Sequence, residues 1–206
     1  EHHSLNIETR KLVKVVSLVN EVTLTRWENG RYVTRRNQTL PKARKPITYF
    51  TNLIAGDYHY FRSFAGFLIG RVQLSTGRVE YLQVPVQALR KKDAKEEMHW
   101  KKTLPNDMKN ADGYRATQDK RNAGNGWGHV SAASPIVVGN RMYISTMVGT
   151  VYVINWRSKV LDQSALVSVS DLGPQGQTWT LSSLSYSASR LYARTLKELI
   201  CVEEQK

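Results

Sequence analysis

Apolar residues fall along this chain in short runs broken by turn-forming residues, not at the 3.6-residue spacing of an amphipathic helix. Leu53-Ile54-Ala55 leads into Gly56-Asp57, then Tyr58 to Arg62, then Phe67-Leu68-Ile69. Ile136-Val137-Val138 leads into Gly139-Asn140, then Arg141 to Ser145, then Val151-Tyr152-Val153-Ile154. The two segments share one spacing, Gly56, Tyr60 and Gly66 against Gly139, Tyr143 and Gly149. A shortened third copy runs Leu191-Tyr192-Ala193-Arg194 and then Glu198-Leu199-Ile200-Cys201-Val202. Glycine followed by Asp or Asn suits the positive φ of a hairpin turn, and the flanking β-branched and aromatic residues suit a pleated surface. The pattern therefore predicts strand, tight turn and strand, repeated. Val151 to Ile154 is apolar at both odd and even positions. A strand of that kind has both faces covered, as when one sheet lies between two others.

The end of the unit recurs as well. Val72-Gln73-Leu74-Ser75-Thr76-Gly77-Arg78-Val79 is matched by Leu5-Asn6-Ile7-Glu8-Thr9-Arg10-Lys11-Leu12 and by Ile154-Asn155-Trp156-Arg157-Ser158-Lys159-Val160. Together these segments resemble the PQQ-like (quinoprotein-type) β-propeller repeat of bacteria, best over 134–161, well over 53–84, and partially over 5–18 and 178–202. The resemblance implies an all-β fold, a single propeller region over 1–206 with repeat units near 5–20, 47–88, 130–172 and 177–203. Propellers close with typically 4 to 8 blades, so the three to four units here imply part of a larger ring. Exposed blade faces and sheet edges would then be covered by a protein partner or by the remaining blades. An unrelated β-sandwich with similar hairpins is the competing fold.

Between the units, 89–129 reads as a polar inserted loop, with a short helical turn over Ala94 to His99. Long loops in a compact fold are usually functional or disordered. This one contains Gly124-Asn125-Gly126-Trp127-Gly128-His129, where glycines let the backbone approach a ligand closely. Trp127, His129, Asn125 and Arg121 are the candidate ligand-binding residues; anchoring of Trp127 against a blade is the plainer reading. Trp179 matches the packing aromatic at the start of a blade in this repeat and is assigned to the core. Trp27 and Trp100 stand in polar context, and the sequence does not decide their role. Cys201, the one cysteine, lies in an apolar run and reads as a small buried hydrophobe. It permits neither an internal disulfide nor a cysteine-based zinc site.

Charge adds one further feature. The chain carries 30 Lys and Arg against 17 Asp and Glu, a formal net charge of +13. Arg26, Arg31, Arg35, Arg36, Lys42, Arg44 and Lys45 cluster against the single acid Glu28. Such a field attracts polyanions, although charge runs also serve solubility alone. Nothing resembles a specific nucleic-acid motif, and no run approaches the length needed to span a bilayer.

The search for chemistry finds no Gly-x-Ser-x-Gly, Walker loop, dinucleotide fingerprint or His-Glu-x-x-His. His59 and His99 are isolated, and His2 and His3 carry no weight as ligands. Asp107, Asp112 and Asp119 lack the spacing of a calcium loop. True quinoprotein dehydrogenases hold pyrroloquinoline quinone and calcium, but many proteins with this repeat are cofactor-free binding platforms, such as outer-membrane assembly lipoproteins. The expectation is therefore a non-catalytic scaffold with no metal or cofactor, in the periplasm, at the cell surface or secreted, contacting protein through inter-blade loops. Part of a quinoprotein-type oxidoreductase and a polysaccharide- or polyanion-binding module are the alternatives.

Overall fold

The structure, a computed structural model, describes residues 1–41, 52–63, 65–91, 95–104, 108–110, 112–115, 133–173 and 178–203. The described residues form seventeen β-strands and no α-helix. β1 (His2–Leu5) and β2 (Leu12–Val16) make a hairpin. β5 (Leu53–Ala55), β6 (Tyr58–Arg62), β7 (Leu68–Gln73) and β8 (Val79–Gln83) make a four-stranded antiparallel meander. A second meander comprises β11 (Ile136–Val138), β12 (Arg141–Ser145), β13 (Thr150–Asn155) and β14 (Leu166–Asp171). β15 (Ser185–Ser187), β16 (Arg190–Arg194) and β17 (Leu199–Glu203) form a three-stranded sheet.

The repeated glycines do what their spacing predicts. Ala55 pairs with Tyr58 and Val138 with Arg141, so Gly56-Asp57 and Gly139-Asn140 are two-residue hairpin loops with φ of 56° and 59° at glycine. Asp57 then ties its turn to the one after β7: its carboxylate accepts from Gln73 Nε2 at 3.0 Å, from the Ser75 amide at 2.9 Å and from the Ser75 hydroxyl. These hydrogen bonds, the side-chain one from Ser75 first, hold the Asp57 carboxyl below its ordinary pKa.

The sheets stack face to face, as propeller blades do. Alternation along β6 shows this directly. Tyr58 and Tyr60 enter a core shared with Met142, Ile144, Tyr152 and Ile154 of the second meander. Phe61, one residue on, joins Leu68, Val72, Val79 and Tyr81 in a core that also takes Val22, Leu24 and Leu40, with Val16 and Leu18 at its edge. β13 is sandwiched as its double apolar parity predicts. Tyr152 and Ile154 face the first meander, whereas Val151 and Val153 face Leu184 and, on the three-stranded sheet, Ala193 and Ile200.

Three sequence expectations are corrected. The basic stretch is not merely a loop: Val22–Glu28 (β3) and Arg31–Gln38 (β4) form a hairpin through Asn29-Gly30, and β3 extends the first meander to six strands by pairing parallel to β8. The 89–129 segment likewise begins in a hairpin, β9 (Gln87–Arg90) with β10 (Glu96–His99), so the helical turn assigned to Ala94 to His99 is replaced over its latter part by a strand. Cross-strand pairing of Glu96 to His99 with Arg90 to Gln87 satisfies the backbone there, overriding weak helical propensity. Cys201 is exposed, because it lies on β17, where Leu199, Val202 and Glu203 are exposed too.

Candidate functional site

The polar centre of the molecule lies between the two meanders. Arg71 on β7 is completely buried and donates to Glu80 on β8 (Nε to Oε2, 2.7 Å), to the Tyr60 hydroxyl (2.9 Å) and to the Ser158 carbonyl (2.8 Å). Its guanidinium also stacks over the Tyr58 ring, 4.1 Å from the centroid. The Tyr60 hydroxyl donates onward to the Trp156 carbonyl at 2.8 Å. One meander thus supplies an ion pair and two tyrosines, and the other supplies backbone carbonyls. The arrangement fixes the register between blades, because a buried charge displaced from its partners is strongly penalised.

At the opposite end of the same interface, β6 finishes in Arg62. The residue is only 7% exposed, and its guanidinium carbon lies 5.3 Å from the centre of the Tyr152 ring. Tyr152 in turn donates to the Pro85 carbonyl at 2.6 Å. Close to this turn three aromatic rings converge. Trp27 and Trp100 stack at 4.6 Å with an interplanar angle of 3°, and the Tyr32 ring meets both edge-on. Burial, with a smaller contribution from Tyr152, raises the Tyr32 phenol above its ordinary pKa.

A cleft of about 470 Å³ opens between the second meander and the three-stranded sheet. Tyr143, Val151, Val153, Leu191 and Ala193 give it apolar walls, and Arg90 and Asp171 lie at its lining. Its size and lining are those of a ligand-sized recess. Asp171 accepts from the Arg90 amide at 3.4 Å, which ties the β9–β10 hairpin to β14.

The predicted site residues divide sharply. Trp127, His129, Asn125 and Arg121 lie outside the described residues, as do Lys42, Arg44 and Lys45. Arg26 lies on β3, while Arg31, Arg35 and Arg36 lie on β4, the last strand of its sheet. Arg35 is committed to Glu28 through two bonds of 2.6 and 2.8 Å, and this pairing holds the Glu28 carboxyl below its ordinary pKa. Charge along an edge strand also discourages pairing with a second chain. Trp179 is buried among Met108, Met147 and Val148. Among the described residues no three His, Cys, Asp or Glu gather as a metal site, and no helix is long and apolar enough to cross a membrane. Sequence reasoning missed Arg62, Arg71 and Glu80. The signal available for them was charged residues at core-facing positions of strands that are otherwise apolar.

No family model matches this sequence, and no curated protein matches it. Among solved structures, BamB from Moraxella catarrhalis aligns over 84% of this chain and 51% of its own, at 15% identity and a TM-score of 0.28. The chain spans about half the length of that protein.

Proposed function

We propose that this chain is a non-catalytic propeller scaffold that binds protein, acting in the periplasm, at the surface or in the secreted fraction of a bacterium as the repeat resemblance implies. The observation that supports binding is the apolar surface left open on its two terminal sheets. Val13 and Val15, on the face of β2 opposite Val16, are 68% and 45% exposed, and Leu199 on β17 is 71% exposed. In the interior sheets the corresponding faces are buried against a neighbouring blade. Exposed apolar residues sharing one face of a strand mark an interaction site, and a pleated face fits another sheet. The occupant is therefore a protein that presents a β-sheet face, from a second polypeptide or from further blades.

Sedimentation velocity across a concentration series tests this. The unmodified chain is expected to associate as concentration rises, and a variant carrying Val13→Asp and Leu199→Asp to sediment as a monomer with an unchanged far-ultraviolet spectrum. Identical behaviour of the two chains would overturn the assignment of these faces.

A further inference from the structure

Arg62 and Arg71 lie on neighbouring strands and point into the same blade interface, yet they are treated oppositely. Arg71 has a carboxylate, a phenol and a carbonyl. Arg62, almost as deeply buried, has no well-formed hydrogen bond on Nε or on either terminal nitrogen, and the group that interacts with it is the neutral Tyr152 phenol. A guanidinium does not lose its proton in a protein, so burial cannot neutralise it. An unpaired ion taken from water into a protein interior is penalised by several kcal/mol after relaxation, on the order of what separates folded from unfolded in many domains. The face of Tyr152 offsets a part of this only.

The surroundings share the same deficit. Tyr32, which packs into the same core as Tyr152, has a buried hydroxyl without a partner. A cation and a phenol, both short of a hydrogen-bond acceptor, thus lie beside Tyr152. Orphaned buried donors of this kind are rare in a finished structure and point to a missing acceptor.

We propose that Arg62 anchors a binding site for a carboxylate at this end of the interface between β5–β8 and β11–β14. A carboxylate supplies what the site lacks, a single negative charge with two coplanar acceptors matched to the guanidinium fork. Tyr32 supplies a further polar contact that sets orientation. The carboxylate belongs either to a small molecule or to an acidic side chain of the bound protein proposed above. The site itself rests on Arg62 and not on that partner.

Thermal unfolding at fixed ionic strength decides the matter, with formate, acetate and a short glutamate-containing peptide titrated against sodium chloride. The chain is expected to show a saturable rise in Tm with at least one of these carboxylates, and Arg62→Met to lose it while unfolding at a higher Tm in chloride alone. Response to formate or acetate identifies a small-molecule site; response to the peptide alone identifies a partner's side chain. Arg62→Lys, which keeps the charge without the fork, covers the case in which the methionine variant fails to fold. Its apparent affinity is expected to fall about tenfold, the equivalent of one charge-assisted hydrogen bond. The proposal is overturned if no carboxylate raises Tm, or if the rise is equal in the Arg62 variants. It is also overturned if an experimental structure without added anion shows a carboxylate of this chain on the guanidinium. None of these outcomes depends on whether the terminal faces associate.

Discussion

The least replaceable residues in this molecule are charged ones inside the core. Glu80 is 2% exposed at its side chain and is the anionic partner of the fully buried Arg71. Removing one member of such a pair costs more than the pair contributes, because the survivor stays buried without compensation. Glu80→Gln is therefore expected to destabilise the chain by about 3–5 kcal/mol, read as a lower midpoint in urea at unchanged slope. Replacing both partners, Arg71→Met with Glu80→Leu, is expected to recover a large part of that loss, since no lone charge remains. A double variant as unstable as Glu80→Gln alone would show that the Arg71 bonds to Tyr60 and Ser158 matter more than the charge pair.

Turn chemistry governs the elements. The loop between β15 and β16 has two residues, and both Ala188 and Ser189 take positive φ, 48° and 62°. Neither residue suits that region, whereas Gly139, at 59° and with open space around its Cβ position, does. Ser189→Gly is expected to add about 1 kcal/mol, a rise of about 2–4 °C in Tm for a chain of this size, and Gly139→Ala to remove a similar amount. Calorimetry on the two variants reads both signs, and a fall in Tm for Ser189→Gly would contradict the account. The same turns explain what the sequence disclosed. Glycine followed by Asp or Asn announced the hairpins at Gly56 and Gly139, and the apolar runs around them located the two meanders. The β9–β10 hairpin was illegible because Lys95-Glu96-Glu97-Met98 has helix-forming composition and its pairing partner precedes a turn without glycine. β4 was hidden by its arginines, which gave the segment the charge of a surface loop. Arg62 read as the polar end of a strand, since nothing local reveals that Tyr152, ninety residues away, will cover it. The candidate loop residues Trp127 and His129 lie outside the described residues, and the three-ring cluster of Trp27, Tyr32 and Trp100 joins segments whose proximity only tertiary structure sets.

At the scale of the whole molecule, stability rests on sheets held in a row by their faces, and one of those contacts titrates near neutrality. His2 on β1 and His59 on β6 meet with Nε2 and Nδ1 3.0 Å apart, so one ring must donate and the other accept. Burial first, and His2 second, hold the His59 imidazole below its ordinary pKa of 6.5. The unfolded chain therefore binds a proton near pH 6.5 that the folded chain takes up only at lower pH. Between these two values the unfolded state holds more protons, so stability rises with pH through the window and is lost as pH falls below about 6.5. Below the folded value the loss stops growing. The chain's net charge of +13 adds a second acid-dependent term, as protonated carboxylates increase self-repulsion. A variant separates the two. His59→Gln keeps a hydrogen-bonding group opposite His2 but cannot titrate, so its urea midpoint is expected to decline less than that of the unmodified chain from pH 7.5 to 5.5. Parallel declines would assign the acid sensitivity to groups other than His59, among them His2, whose imidazole burial also holds below its ordinary pKa.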